Sequence, residues 1–180
     1  MEKIIAYTDG SAVVRGKAKG NGGFGTYFPN LYGERKAFSL GFQETKTGRM
    51  EITALYYAIT ALNKEFKGVL TVYSDSEYVV KSFTEKRLLK WIKNGWKNTS
   101  GDVKNQDLWK AIVKELELRS DMELEMIHIR SHQVEKAKTQ EEKEALLSNE
   151  HIQGNRVADF LADYKRHINL LTKDTLKHHE

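Results

Sequence analysis

No cysteine occurs among the 180 residues. That excludes disulfides and thiolate metal sites, and it agrees with a reducing, cytoplasmic setting. Proline appears once, at Pro29, so there is no Pro-rich linker, and no internal repeat or low-complexity tract interrupts the chain. No apolar run is long enough to span a bilayer, and the N-terminus, MEKIIAYTDG, lacks a signal-peptide layout. A large charge imbalance is also missing, since 29 basic and 25 acidic side chains leave a net +4. The expectation is one soluble cytoplasmic domain, monomeric and without a membrane partner.

What is present is charge in particular places. Between Lys81 and Lys104 stand Lys81, Lys86, Arg87, Lys90, Lys93, Lys97 and Lys104, opposed only by Glu85 and Asp102. Residues 134–150 run mixed to acidic, with Glu135, Glu141, Glu142, Glu144 and Glu150. A basic excess confined to one segment is expected of a surface that docks on phosphate.

Periodicity predicts the order β-β-β-α-β-α-α-β-α. Residues 3–8 form a buried strand that ends at Asp9-Gly10, and residues 10–22 form a long glycine-bearing loop with Arg15, Lys17 and Lys19. Strands over 23–29 and 33–42 flank a turn at Pro29-Asn30. Ile52, Leu55, Tyr56, Ile59 and Leu62 mark a helix over 50–65, and Val69 to Tyr73 a short strand. Helices follow near 76–83 and 86–94, then one capped by Asn105 with the stripe Leu108, Ile112 and Leu116. A strand over 122–129 precedes a last helix whose expected core stripe is Val157, Phe160, Leu161 and Tyr164. This alternation implies an α/β fold, a mixed sheet with helices on its faces.

Four acids border these apolar elements. Asp9 and Asp75 follow strands, Glu51 opens a helix and Asp159 lies early in the last one. Taken singly, each reads as a turn, a cap or a residue that suits the helix dipole. Gathered together, four carboxylates would repel, and some would hold protons at neutral pH. Hard divalent cations relieve that repulsion, and all-oxygen ligands suit magnesium or manganese. Two such ions about 4 Å apart activate a water and stabilise a leaving oxygen on phosphorus.

YTDGS at 7–11, GRMEITALYYAI at 48–59, YSDSEYV at 73–79 and GNRVADFLA at 154–162 resemble, in order and spacing, the four acid motifs of type I ribonuclease H. WIKNGWKN and VKNQDLW, between the third and fourth, resemble bacterial members, and the similarity runs from about residue 3 to 166. The resemblance implies a ribonuclease H-like five-stranded sheet in the order 3-2-1-4-5, with Asp9 on the central strand. It implies a catalytic domain over 1–166, followed by a helical extension or tail over 167–180. It further implies that Asp9, Glu51, Asp75 and Asp159 hold two Mg²⁺ ions, Mn²⁺ being the alternative, and that the RNA strand of an RNA–DNA hybrid is cut endonucleolytically. Within this resemblance Asp9 bridges both ions and Asp159 serves the ion of the nucleophilic water.

His132, in IHIRSH at 127–132, matches a mobile family histidine that assists proton transfer or product release, chemistry that suits a group titrating near neutrality. The 26 residues that separate His132 from Asp159 are more than typical family members carry, and His151 is the competing candidate. His128 is expected to be structural, and His178 and His179 inert. In KRLLKWIKNGWK at 86–97, helical spacing sets Lys86, Lys90, Lys93 and Lys97 to one side, while Leu88, Leu89 and Ile92 can pack inward. By resemblance this is a basic protrusion that grips DNA, with Lys90, Trp91, Lys93, Trp96 and Lys97 as contacts. Gly10, Ser11, Arg49 and Asn105 are candidates for hybrid recognition, which needs contacts to 2′-hydroxyls. Thr47-Gly48 and Glu77 stand where family members place amides.

Gly20, Gly22 and Gly25 match G-x-G-x-x-G, but no strand precedes them and no helix follows, so a close turn into the second strand is expected instead of a dinucleotide site. A catalytically silent nucleic-acid-binding module and a DNA-directed nuclease of the same fold stay open as alternatives, because a fold alone does not fix a substrate.

Overall fold

The computed structural model describes residues 1–13, 20–166 and 172–173. The predicted loop cations Arg15, Lys17 and Lys19, the helical extension or tail apart from 172–173, and His178 and His179 lie outside the described residues. Strands β1 (Glu2–Ala12), β2 (Gly20–Leu31) and β3 (Glu34–Thr45) form an antiparallel meander. Helix α1 (Thr47–Thr60) then leads to β4 (Gly68–Ser74), which pairs parallel with β1. Helices α2 (Glu77–Thr84) and α3 (Arg87–Lys93) follow, with a two-stranded hairpin of β5 (Lys97–Asn98) and β6 (Gly101–Asp102). Helix α4 (Gln106–Glu117) returns the chain to β7 (Met122–His128), parallel to β4. Two short helices, α5 (Gln133–Lys136) and α6 (Gln140–Ser148), precede the long α7 (Glu150–Arg166).

The main sheet runs β7-β4-β1-β2-β3, the expected five-stranded order. A two-residue strand, β8 (Thr172–Lys173), adds a sixth position by pairing with Phe42-Gln43 of β3. Among the described residues no helix is long and apolar enough to cross a membrane.

One face of the sheet carries the main core. Ile4 and Ala6 of β1, Phe28 of β2, and Leu70 and Val72 of β4 pack with Ile52, Leu55 and Ile59 of α1 and with Leu108, Trp109 and Ile112 of α4. Burying large apolar side chains is worth about 1.5–3 kcal/mol each, so this layer fixes α1 and α4. The other face is covered by α7, on different terms. A Cβ at Gly25 would lie 2.2 Å from the Ala158 carbonyl oxygen, so α7 sits directly on the backbone of β2. The glycines of the G-x-G-x-x-G run are thus within β2, and Gly25 makes room for a helix rather than a turn.

That close approach overturns most of the expected core stripe of α7, of which only Leu161 lies against β2. The helix turns small residues, Gly154, Ala158 and Ala162, to the sheet. Phe160 and Tyr164 are 66% and 56% exposed, and Val157 also faces outward. The hairpin turn moves as well. Pro29 and Asn30 sit within β2 at a register shift, where a missing amide costs no ladder bond. The chain reverses at Tyr32-Gly33, both with positive φ, the handedness a two-residue hairpin turn requires, and Asn30 Oδ1 accepts the Gly33 amide at 2.8 Å.

Candidate active site

Asp9, Glu51, Asp75 and Asp159 meet in one cleft of about 410 Å³, together with Gly10, Ser11, Thr47, His132, Asp163 and Arg166. Three routes bring the acids there. Asp9 lies within β1 on the face that α7 covers, 7% exposed, and its Oδ1 accepts the Gly10 amide at 2.8 Å. Gly10 touches the backbone of Met50 and Glu51, so α1 crosses the end of β1 in direct contact and carries Glu51 alongside Asp9. Asp75 follows the last residue of β4, in the turn that starts α2. Asp159 comes from α7, next to Ala158 where the helix touches Gly25.

The electrostatics of the cluster are those of charges in need of a counter-ion. Burial pushes the Asp9 carboxyl well above the ordinary carboxylate range, and the charges of Asp75 and Asp159 push it further. The Asp75 carboxyl is raised by burial and by Asp159, against lowering by its hydrogen bond with Asp9 and by nearby His132. Burial also raises Glu51, partly offset by Ser76, whose Oγ donates to Glu51 Oε2 at 2.6 Å. The same Oγ accepts the Val79 amide at 3.3 Å, which ties Glu51 to the positive end of α2. Among the described residues no three such side chains are closed tightly enough to grip an ion as they stand. The donor chemistry nevertheless fits a hard divalent cation: oxygen ligands only, several of them, partly buried and mutually repelling.

His132 lines this cleft, whereas His151 does not. His132 adopts a left-handed backbone (φ 53°) at the start of α5, with buried Val134 anchoring the segment behind it. His128 Nε2 lies 3.2 Å from the Asp75 carbonyl oxygen, a structural contact. Glu77 does not line the cleft; it pairs with Lys81 and faces the hollow between α2 and β7.

The candidates for nucleic-acid contact divide. Gly10 and Ser11 line the acid cleft. Arg49, Trp91 and Asn105 line a second, larger groove of about 1080 Å³, with Lys46, Gly48, Tyr78, Asn98 and Lys104 among its other walls. Arg49 grips Asp107 with both terminal nitrogens, at 2.9 and 2.7 Å. Burial would raise Asp107, but this ion pair outweighs it and the carboxyl is lowered. Asn105 makes no side-chain cap for α4; its backbone is left-handed (φ 57°). Lys90, Lys93 and Lys97 are exposed on and just beyond α3. Trp91 and Trp96 are half-buried, with Trp91 5.6 Å from the Trp109 ring and Lys110 Nζ 5.4 Å above Trp96. Of the apolar trio, only Leu88 packs inward; Leu89 and Ile92 are exposed because α3, seven residues long, buries a single turn.

Sequence reasoning missed Asp163 and Arg166, which line the acid cleft. Ser11 Oγ donates to Asp163 Oδ1 at 3.0 Å and Arg166 Nη1 donates to Ser11 Oγ at 2.6 Å. Both follow Asp159 at helical spacing, four and seven residues on, a signal present in the sequence.

The RNase H family profile matches residues 1–166. A ribonuclease H of Lachnoclostridium phytofermentans is 44% identical over 116 residues, covering 62% of this chain and 71% of that protein. One of Rippkaea orientalis is 36% identical over 133 residues, covering 73% and 76%. Among solved structures, a foamy viral protease–reverse transcriptase in complex with RNA/DNA hybrid superposes with a TM-score of 0.69 at 23% identity. That match covers 91% of this chain but only 20% of the viral one, and it bears on the fold alone. On the profile and these relatives, the chain belongs to the RNase H family, divalent-metal-dependent enzymes that hydrolyse RNA paired with DNA.

Proposed function

We propose that residues 1–166 act as the catalytic domain of a monomeric, cytoplasmic endonuclease that cuts the RNA strand of an RNA–DNA hybrid. Asp9, Glu51, Asp75 and Asp159 are the residues that would hold two divalent ions, Mg²⁺ by preference and Mn²⁺ as the alternative. When bound, such ions supply an activated water and stabilise the departing oxygen. The observation that carries this reading is the convergence of Asp9, Glu51, Asp75 and Asp159, from separate parts of the chain, in one partly buried cleft.

The protein's own groups do the rest. Ser76 and the amide of Gly10 hold Glu51 and Asp9 in place by hydrogen bonds to one oxygen each. His132, exposed at the rim of the cleft, is placed to take or give a proton as the scissile bond breaks. The groove with Arg49, Trp91 and Asn105, flanked by Lys90, Lys93, Trp96 and Lys97, is the surface for the DNA strand, and Gly10 and Ser11 face the RNA. An RNA–DNA hybrid, with 2′-hydroxyls on one strand only, is the ligand this two-part surface suits.

One assay tests the reading. Labelled RNA–DNA hybrid, single-stranded RNA and duplex DNA are each incubated with the protein, in magnesium or in chelator. Cleavage of the RNA in the hybrid alone, and only with metal, is expected; binding without cutting would refute it.

A further inference from the structure

His151 lies outside the acid cleft, yet it is bonded to two of the elements that build it. Its Nδ1 is 2.9 Å from the Tyr7 hydroxyl and its Nε2 3.2 Å from the Tyr73 hydroxyl. Its ring stacks on Tyr73 at 4.2 Å and 19°. Tyr7 and Tyr73 are register partners on β1 and β4, with rings 5.4 Å apart. A neutral imidazole has one donor and one acceptor, so one hydroxyl donates to the ring and the other accepts from it. Gly154, one turn along α7, completes the contact: a Cβ there would lie 2.3 Å from the Tyr7 ring, so the helix rests on the tyrosine itself.

The positions of these three residues matter more than their chemistry alone. Tyr7 is two residues before Asp9 and Tyr73 two before Asp75. His151 sits on the first turn of α7, eight residues before Asp159. One Tyr–His–Tyr cluster therefore joins the three elements that deliver three of the four acids. It lies about 12 Å along the helix from Asp159.

We propose that His151, with Tyr7 and Tyr73, is a clamp that fixes α7 against β1 and β4 and so sets the spacing of Asp159 from Asp9 and Asp75. The proposal rests on the reading of those acids as metal ligands. His151 is a positioning residue here and touches neither substrate nor ion. Without the clamp, the first turns of α7 lose their bonds to Tyr7 and Tyr73 and can tilt on the sheet. The carboxylates then meet a cation less well, although each is still present.

The test is a titration of the full chain with Mn²⁺ alone, without substrate, following free ion by electron paramagnetic resonance. His151→Ala is expected to weaken Mn²⁺ binding by about tenfold, the lower end of what a group behind the ligands contributes. Tyr7→Phe and Tyr73→Phe are expected to weaken it less, and His151→Gln, which keeps a donor and an acceptor, to restore most of it. Ile112→Val, a core change in α4 on the opposite face of the sheet, controls for lost stability and is expected to leave Mn²⁺ affinity unchanged. In turnover assays at low Mn²⁺, His151→Ala lowers kcat while KM for the hybrid stays put. Should His151→Ala fail to fold, Tyr73→Phe carries the test. Wild-type Mn²⁺ affinity in His151→Ala and Tyr73→Phe, with Asp9→Asn impaired, overturns the clamp alone. Wild-type affinity in Asp9→Asn overturns the assignment of the acids, and the clamp with it.

Discussion

The acid cleft and the cationic arm are built in opposite ways. The cleft draws on the central strand, the ends of two core elements and the longest helix, all braced by the sheet. The arm consists of a seven-residue helix and two two-residue strands whose lysines stand in solvent. Groups that must meet to within a fraction of an ångström are held by packing on both sides, whereas groups that need only supply charge are left on long, adaptable stems. The difference separates rate from affinity: damage to the cleft should lower turnover, and damage to the arm should weaken binding.

The sharpest way to break that separation is Asp9→Asn. Cleavage of hybrid is expected to fall on the order of a thousandfold while circular dichroism stays native. Next in size, His132→Ala should slow single-turnover cleavage on the order of a hundredfold, with hybrid affinity unchanged. Gly25→Ala tests the bracing itself. The added methyl meets the Ala158 carbonyl, and overpacking is expected to cost about 1–3 kcal/mol of stability in urea titrations, with kcat falling as Asp159 is displaced. The triple variant Lys90→Ala, Lys93→Ala and Lys97→Ala should leave kcat near wild type. It should weaken hybrid binding by about tenfold and flatten the dependence of log affinity on log salt by up to about three.

The mildest test is pH. Asp9, Glu51 and Asp75 bind protons more tightly folded than unfolded. Their contribution to stability is therefore fully present below the ordinary values of 3.8 and 4.5, and is lost as pH rises through the raised folded values. Without divalent ions, wild type should lose stability relative to Asp9→Asn over that range, and added Mg²⁺ should close the gap. Thermal midpoints of the two proteins at several pH values, with and without Mg²⁺, measure it.

Much of this was legible in the sequence wherever a residue's role is set by its neighbours in the chain. The apolar run before Asp9, the stripe of Ile52, Leu55 and Ile59, and the four acid motifs each carry a local signature. What could not be read depends on partners far along the chain. Arg49 is held by Asp107, 58 residues away, and nothing near Arg49 announces it. The outward face of α7 was misread because its large apolar residues dominate the periodicity, while the closest contacts with β2 are the carbonyls of Ala158 and Ala162 against Gly25 and Gly23. Pro29 suggested a turn, yet a bulge absorbs it and the chain reverses three residues later. Asp163 and Arg166 were within reach, since counting turns onward from Asp159 finds both.

The seating of α7 on bare backbone has a consequence for how the gene can change. Inserting one amino acid between Ala158 and Asp159 would leave the helix and its small-residue contacts before that point intact. It would swing Asp159 about 100° around the axis, out of rotational phase with Asp9 and Asp75. Such a protein would keep the arm that binds hybrid but fail to cut, and Leu161 would move into the place of Ala162 against Gly23, so length variation should be tolerated in the α5–α6 excursion and rejected within the last helix.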